Sequence, residues 1–77
     1  MKTVNISLNS IDKVKCFVNA ITKFNNDFDL VSGRYVIDAK SIMGIFSLDL
    51  SKPIILNIHA SESLPEILEA IKPYIIE

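Results

Sequence analysis

Apolar and polar residues alternate at the start of the chain and then change to a helical spacing. Within residues 2–8, Val4, Ile6 and Leu8 fall on one side, which is typical of a strand with one buried face. The residues after Ser10 follow the spacing of one helical stripe: Ile11, Val14, Phe17, Val18, Ile21 and Phe24. The pattern predicts a strand and then an amphipathic helix, with the hydroxyl of Ser10 suited to its N-cap.

The middle of the chain predicts a hairpin, a short helix and a further strand. Residues 28–38 resume the alternation, and Gly33 can adopt the positive φ that a tight turn between two strands needs. Residues 41–48 form a short apolar segment that predicts a helix. Pro53 suits the start of the strand predicted over residues 54–60 better than its middle.

The last part of the chain predicts a third helix. Ser63 and Glu66 have the spacing of a capping box, in which each side chain accepts a hydrogen bond from the other residue's backbone. The apolar stripe of this helix consists of Leu64, Ile67, Leu68, Ile71 and Ile75. Pro73 is expected to break or kink its end, because proline cannot donate the helical hydrogen bond.

The predicted order of elements is βαββαβα, within a single domain that spans residues 1–77. The hairpin is antiparallel, and all three helices carry an apolar stripe that has to cover a sheet. We therefore predict an α+β open-faced sandwich, a four-stranded antiparallel sheet with three helices on one face. The other sheet face, with Asn57 and His59, is expected to meet solvent.

Composition and charge exclude several classes of function. The chain has 77 residues, 49% of them hydrophobic, and a formal net charge of -1, which is not the basic balance that nucleic-acid binding requires. No apolar run approaches the length of about 20 residues that a membrane span needs. Cys16 is the one cysteine, so no internal disulfide is expected. We predict a soluble cytoplasmic protein without a metal or cofactor.

The segment "AKSIMGIFSL", residues 39–48, lies between the hairpin and the next strand and resembles a known family. It is similar to the phosphocarrier protein HPr of the bacterial phosphotransferase system and to its paralogue, the catabolite-repression HPr. The likeness extends over nearly the whole chain, although outside "KSIMG" it consists mainly of pattern and length. The resemblance implies a carrier that takes phosphate from enzyme I on a histidine at the start of the first helix. There the helix amides and an arginine hold the phosphate.

This sequence departs from the family at that site. An ungapped comparison with the family motif puts Ser10 at the position of the phosphocarrier histidine, Asp12 at the arginine and Lys13 at the proline. A serine phosphate is an ester of low transfer potential, so Ser10 cannot act as the relay. We therefore expect a protein that is not an enzyme and has no ordinary carrier activity. The alternative is a phosphocarrier with a displaced acceptor, of which His59 is the most plausible.

Ser41 matches the serine that a bifunctional HPr kinase/phosphorylase modifies in Gram-positive HPr, after which the product binds a transcription regulator. The resemblance therefore implies regulatory phosphorylation at Ser41, next to a partner-binding surface. The predicted partner-binding residues are Lys40, Ile42, Met43, Phe46 and Ser47. The implied partners are that kinase, a transcription regulator or other phosphotransferase-system proteins. Two alternatives stay open: Ser41 is simply an N-cap beside core residues, or the protein is a decayed paralogue with no present role.

Overall fold

The computed structural model describes residues 2–60 and 62–76, which form four strands and three α-helices. The strands are β1 (Lys2–Ile6), β2 (Asp27–Ser32), β3 (Tyr35–Asp38) and β4 (Ile54–His59). The helices are α1 (Ile11–Ile21), α2 (Ile42–Phe46) and α3 (Leu64–Ile71), and a 3-10 turn (Lys72–Tyr74) follows α3. The order of elements is the predicted one.

The four strands form one antiparallel sheet in the order β1-β4-β2-β3. One row of apolar residues crosses all four strands on the covered face: Leu56 lies opposite Val4 and Leu30, and Leu30 lies opposite Ile37. This register places the alternating apolar residues of every strand on the same side, where the helices can cover them. The predicted α+β architecture is therefore confirmed.

The helices cover this face through one continuous hydrophobic core. Val14, Phe17 and Ile21 of α1 are fully buried, as are Ile67 and Ile71 of α3. The ring of Phe17 also meets the ring of Tyr74 edge to face, with their centroids 5.7 Å apart. Tyr74 belongs to the 3-10 turn at Pro73, where α3 ends as predicted. None of the helices within the described ranges is both long and apolar enough to cross a bilayer.

The first helix has the predicted cap, but its apolar stripe begins later than predicted. The backbone N–H of Lys13 donates to Ser10 Oγ at 3.1 Å, and Ser10 has the extended backbone of an N-cap. Ile11 was predicted in the buried stripe, yet 61% of it is exposed. As the first helical residue, Ile11 lies at the edge of the stripe and before the turn that packs against the core.

The predicted capping box at the third helix is wrong. Ser63 is the N-cap residue of α3, but its side chain accepts no capping hydrogen bond from the helix backbone. Its backbone has φ -92° and ψ 12°, whereas an N-cap residue needs an extended backbone to turn its hydroxyl toward the third helical residue. Pro65, near the start of the helix, has no N–H that needs a cap.

Both ends of the chain differ in detail from the predicted elements. The first strand ends at Ile6 rather than at residue 8, although Leu8 is fully buried. The reason is a change of partner, since Ile6 forms a bridge with Ile75 and the backbone N–H of Ser7 donates to Tyr74 O at 2.9 Å. Ile75, predicted in the stripe of the last helix, therefore lies in extended chain against β1.

Candidate functional site

Helix α2 begins at a serine cap on the surface of the molecule. Ser41 is exposed, and its Oγ accepts a hydrogen bond from the backbone N–H of Gly44 at 3.2 Å. The backbone N–H of Ser41 donates to Asp38 O at 3.0 Å, which joins the cap to the end of β3. At the other end, Ser47 Oγ donates to Gly44 O at 2.6 Å. Both ends of this five-residue helix are thus closed by serine hydroxyls.

The two sides of α2 have different environments. Ile45 is fully buried, and Ile42 is half-buried and packs against the core. On the other side, 77% of Met43 and 39% of Phe46 are exposed. We call the surface made by Met43 and Phe46 the outer surface of α2. These two exposed side chains are three residues apart in the sequence, so they are neighbours on one side of the helix.

Gly44 keeps the helix close to its own cap and to the sheet. A Cβ at this position would lie 3.1 Å from Ser41 Oγ and 3.3 Å from Ile37 Cδ1 of β3. Both contacts are tighter than an ordinary van der Waals contact, so a side chain here would push either the cap or the strand away. The glycine therefore explains how so short a helix holds Ser41 in place.

Lys40, a predicted partner-binding residue, directs its ammonium group into the molecule. Its Nζ donates to Phe24 O, just after α1, at 2.7 Å and lies 5.5 Å from the centroid of the Phe28 ring. Its backbone N–H donates to Asp38 Oδ1 at 2.9 Å. The positive charge thus stabilises a carbonyl near the C-terminal end of α1, where helix carbonyls lack partners. Sequence reasoning missed this contact, because no local pattern brings residue 24 to residue 40.

The start of α1 has the chemistry of a helix cap. Ser10 Oγ accepts the hydrogen bond from Lys13, and Asp12 lies in the first turn of the helix. A carboxylate there favours the helix dipole but repels an incoming phosphate.

His59 lies on the open face of the sheet among carboxylates. Its Nε2 is 2.7 Å from Asp29 Oδ2, and Asp27 lies directly opposite it in the register of β2 and β4. Asp38 in turn lies opposite Asp29. The side chain of His59 is 41% exposed, in agreement with the prediction that it faces solvent. Within the part of the chain that is described, no group of three or more His, Cys, Asp or Glu residues is placed to hold a metal ion.

The fold is an HPr-like open-faced sandwich, here with a serine-capped short helix between β3 and β4. The crystal structure of HPr-C-His from Thermoanaerobacter tengcongensis has this fold, with a TM-score of 0.77 and 26% sequence identity. The likeness covers 95% of this chain and 89% of that one. No protein-family model and no curated protein matches the chain.

Proposed function

We propose that this protein is a non-catalytic, HPr-like interaction module related to the sugar phosphotransferase system and regulated by phosphorylation of Ser41. The observation that carries the proposal is the arrangement of α2, which presents an exposed serine beside an exposed apolar surface. Ser41 Oγ accepts a hydrogen bond from Gly44, so its own hydroxyl proton stays available to a kinase. Met43 and Phe46 lie within one helical turn or so of the serine.

The outer surface of α2 is the proposed docking face for a cytoplasmic protein partner. Its two side chains combine a flexible thioether with an aromatic ring, which suits an adaptable apolar contact. Ser47 lies at the rim and is exposed, whereas Ile42 supports the surface from below through its contact with the core. Lys40 lies next to this docking face but does not offer it a free charge, because its ammonium group is bound to Phe24 O.

Phosphorylation would change the charge of this face. A phosphate on Ser41 adds a charge of about -1.5 to -2 at neutral pH and three acceptor oxygens. It would stand next to the apolar outer surface, where an arginine of the partner can pair with it. Candidate partners are an HPr kinase/phosphorylase, a transcription regulator and phosphotransferase-system proteins.

A relay at His59 is the less favoured alternative. Its Nε2 is already bound to Asp29, and the carboxylates of Asp27 and Asp29 next to it would repel an incoming phosphoryl group. It also lies at the end of a strand on the open sheet face, away from any helix amides that could hold the phosphate. These contacts support a surface histidine paired with a carboxylate.

The proposal is tested by the source and site of phosphorylation. The protein is incubated either with enzyme I and phosphoenolpyruvate or with HPr kinase and ATP, and its intact mass is measured. We expect no phosphate from enzyme I and one from the kinase, lost in Ser41→Ala. An acid-labile phosphate that maps to His59 would establish the alternative, and a kinase that still labels Ser41→Ala would remove the switch.

Docking is tested separately with a matched pair of surface substitutions. Met43→Asp should abolish binding of the phosphorylated protein to the kinase/phosphorylase, measured by calorimetry. Val36→Asp is the control, because Val36 is 64% exposed on the open face of the sheet, away from α2. Both variants should keep the unfolding free energy within about 0.5 kcal/mol, as exposed positions generally do. Equal loss of binding in both variants would refute docking through α2.

A further inference from the structure

A groove of about 430 Å³ lies where three segments of the chain meet, and Ser47, at the rim of the outer surface of α2, is one of its lining residues. The turn between β2 and β3 contributes Arg34 to it, and the first residue of β3 contributes Tyr35. Lys52 and Pro53, just before β4, form the facing side. Its volume falls within the range of about 300–1,000 Å³ that is common for small-molecule sites. The chemistry of its walls therefore indicates what it could bind.

Two cationic side chains, Arg34 and Lys52, line the groove, and neither forms a strong ion pair with a carboxylate that the structure describes. Among the described residues, Arg34 has no carboxylate within ion-pair distance. Lys52 Nζ is 3.9 Å from Asp49 Oδ2, and these side chains are 77% and 56% exposed, so water largely screens the pair. A dianionic ligand can displace such a contact at little cost.

The ionised form of Asp49 is stabilised mainly by hydrogen bonds and only to a lesser extent by Lys52. Its Oδ1 accepts hydrogen bonds from the backbone N–H of Ser51 at 3.1 Å and from Ser51 Oγ at 2.5 Å. These hydrogen bonds from Ser51, more than the charge of Lys52, lower the pKa of Asp49. Lys52 can therefore turn to a ligand while Asp49 keeps its other partners.

The remaining walls supply an apolar contact beside the charges. Tyr35 lines the groove and is 65% exposed, and Pro53 is exposed as well. Aromatic and proline surfaces of this kind pack against flat rings. Two cations and one carboxylate leave the groove positive, which matches a phosphate monoester of charge about -1.5 to -2 better than a single carboxylate. The guanidinium fork of Arg34 also fits phosphate oxygens in bidentate geometry.

We propose that this groove binds a small phosphate monoester that carries a ring. Arg34 and Lys52 hold the phosphate, and the ring packs between Tyr35 and Pro53. The proposal does not depend on phosphorylation of Ser41 or on docking at α2.

The experiment is an NMR titration of the amide signals of the whole chain with phenyl phosphate, inorganic phosphate and benzyl alcohol. Phenyl phosphate should cause saturable shifts at Gly33, Ser47 and Lys52, whereas the other two compounds, each lacking one half of the ligand, should bind at least several-fold more weakly. Arg34→Gln should weaken the binding of phenyl phosphate about tenfold, because it removes a charged hydrogen-bond donor.

Two further variants make the test specific to the groove. Asp49→Asn should tighten binding, because it removes the competing carboxylate while its amide oxygen still accepts from Ser51. Lys23→Gln removes an exposed lysine that does not line the groove and should leave the affinity unchanged. The proposal is overturned by unchanged affinity in Arg34→Gln, by weaker binding in Asp49→Asn, or by equal weakening in Lys23→Gln. Equal affinity for phenyl phosphate and inorganic phosphate, or the absence of saturable shifts, also overturns it.

Discussion

A serine precedes each of the three α-helices in the described part of the chain, and two of these serines cap their helix with the side chain while the third does not. Ser10 Oγ and Ser41 Oγ each accept a backbone hydrogen bond, at 3.1 Å and 3.2 Å, whereas the side chain of Ser63 accepts none. The same substitution, serine to alanine, should therefore have different effects at three similar positions. Ser10→Ala and Ser41→Ala should destabilise the fold, and Ser63→Ala should be close to neutral.

The size of the effect follows from the lost bond. Replacing a capping serine by alanine leaves one N–H at the start of the helix without its partner and costs about 1 kcal/mol. With an m-value of about 1 kcal/mol per molar urea for so small a chain, the midpoint should fall by about 1 M in Ser10→Ala and Ser41→Ala. The melting temperature should fall by about 4–8 °C. Ser63→Ala should stay within about 0.5 kcal/mol of the unmutated protein.

Urea unfolding followed by circular dichroism measures all three variants under one condition. Ser41→Asp is the useful fourth variant, because aspartate caps a helix about as well as serine and should retain the stability. It then carries a charge at residue 41 without loss of the cap, so effects of charge on partner binding are separated from effects on folding. A loss of stability in Ser63→Ala as large as that in Ser10→Ala would show that the cap geometry does not determine these energies.

Three further substitutions examine other parts of the structure. Ile45→Ala should lower the unfolding free energy, measured with urea, by about 2–5 kcal/mol because Ile45 is fully buried. Met43→Ala, at a position that is 77% exposed, should lower it by less than about 0.5 kcal/mol. Similar losses in both variants would contradict the assigned faces of α2. Lys40→Met should cost about 1 kcal/mol, because Phe24 O loses its donor; no loss would show that the bond contributes little. Burial raises the pKa of Tyr74, so the folded state favours the neutral phenol; this stability is present below about pH 10 and is lost above it. The unfolding free energy, measured from pH 8 to 11, should not show this loss in Tyr74→Phe. The same slope of unfolding free energy against pH in the variant and the unmutated protein would contradict the prediction.

Most of the fold was predictable, because each element carries its own periodicity. The alternation of β2 and β3 and the positive φ of 61° at Gly33 are local properties, and local patterns predicted them correctly. The predictions that were wrong concern residues whose secondary structure depends on contacts with a distant segment of the chain. Leu8 was predicted in the first strand because it continues the alternation of Val4 and Ile6, but the backbone next to it, at Ser7, pairs with the 3-10 turn at the other end of the chain.

The candidate site was predictable in its residues but only partly in its geometry. The cap at Ser41 and the presence of outward apolar residues on α2 follow from spacing, since so short a helix cannot bury five apolar side chains on one side. Which of them point outward depends on packing against β3 and the core, so Ile42 turned inward and Met43 outward. The groove between Arg34 and Lys52 had no signal in the sequence, because only the tertiary fold brings the β2–β3 turn to the segment before β4.

The central position of β4 has a consequence for how the chain folds during synthesis. β1 pairs with β4 alone among the strands, so its hydrogen bonds cannot form until residues 54–59 have been made. At a translation rate of about 5–20 residues per second, Val4 and Ile6 wait about 3–10 s for their partner strand to be made. The hairpin of β2 and β3 can pair earlier, because it is local. We therefore expect this interval to be when the chain is most open to chaperones, and a slow stretch of codons after β4 to help the sheet close.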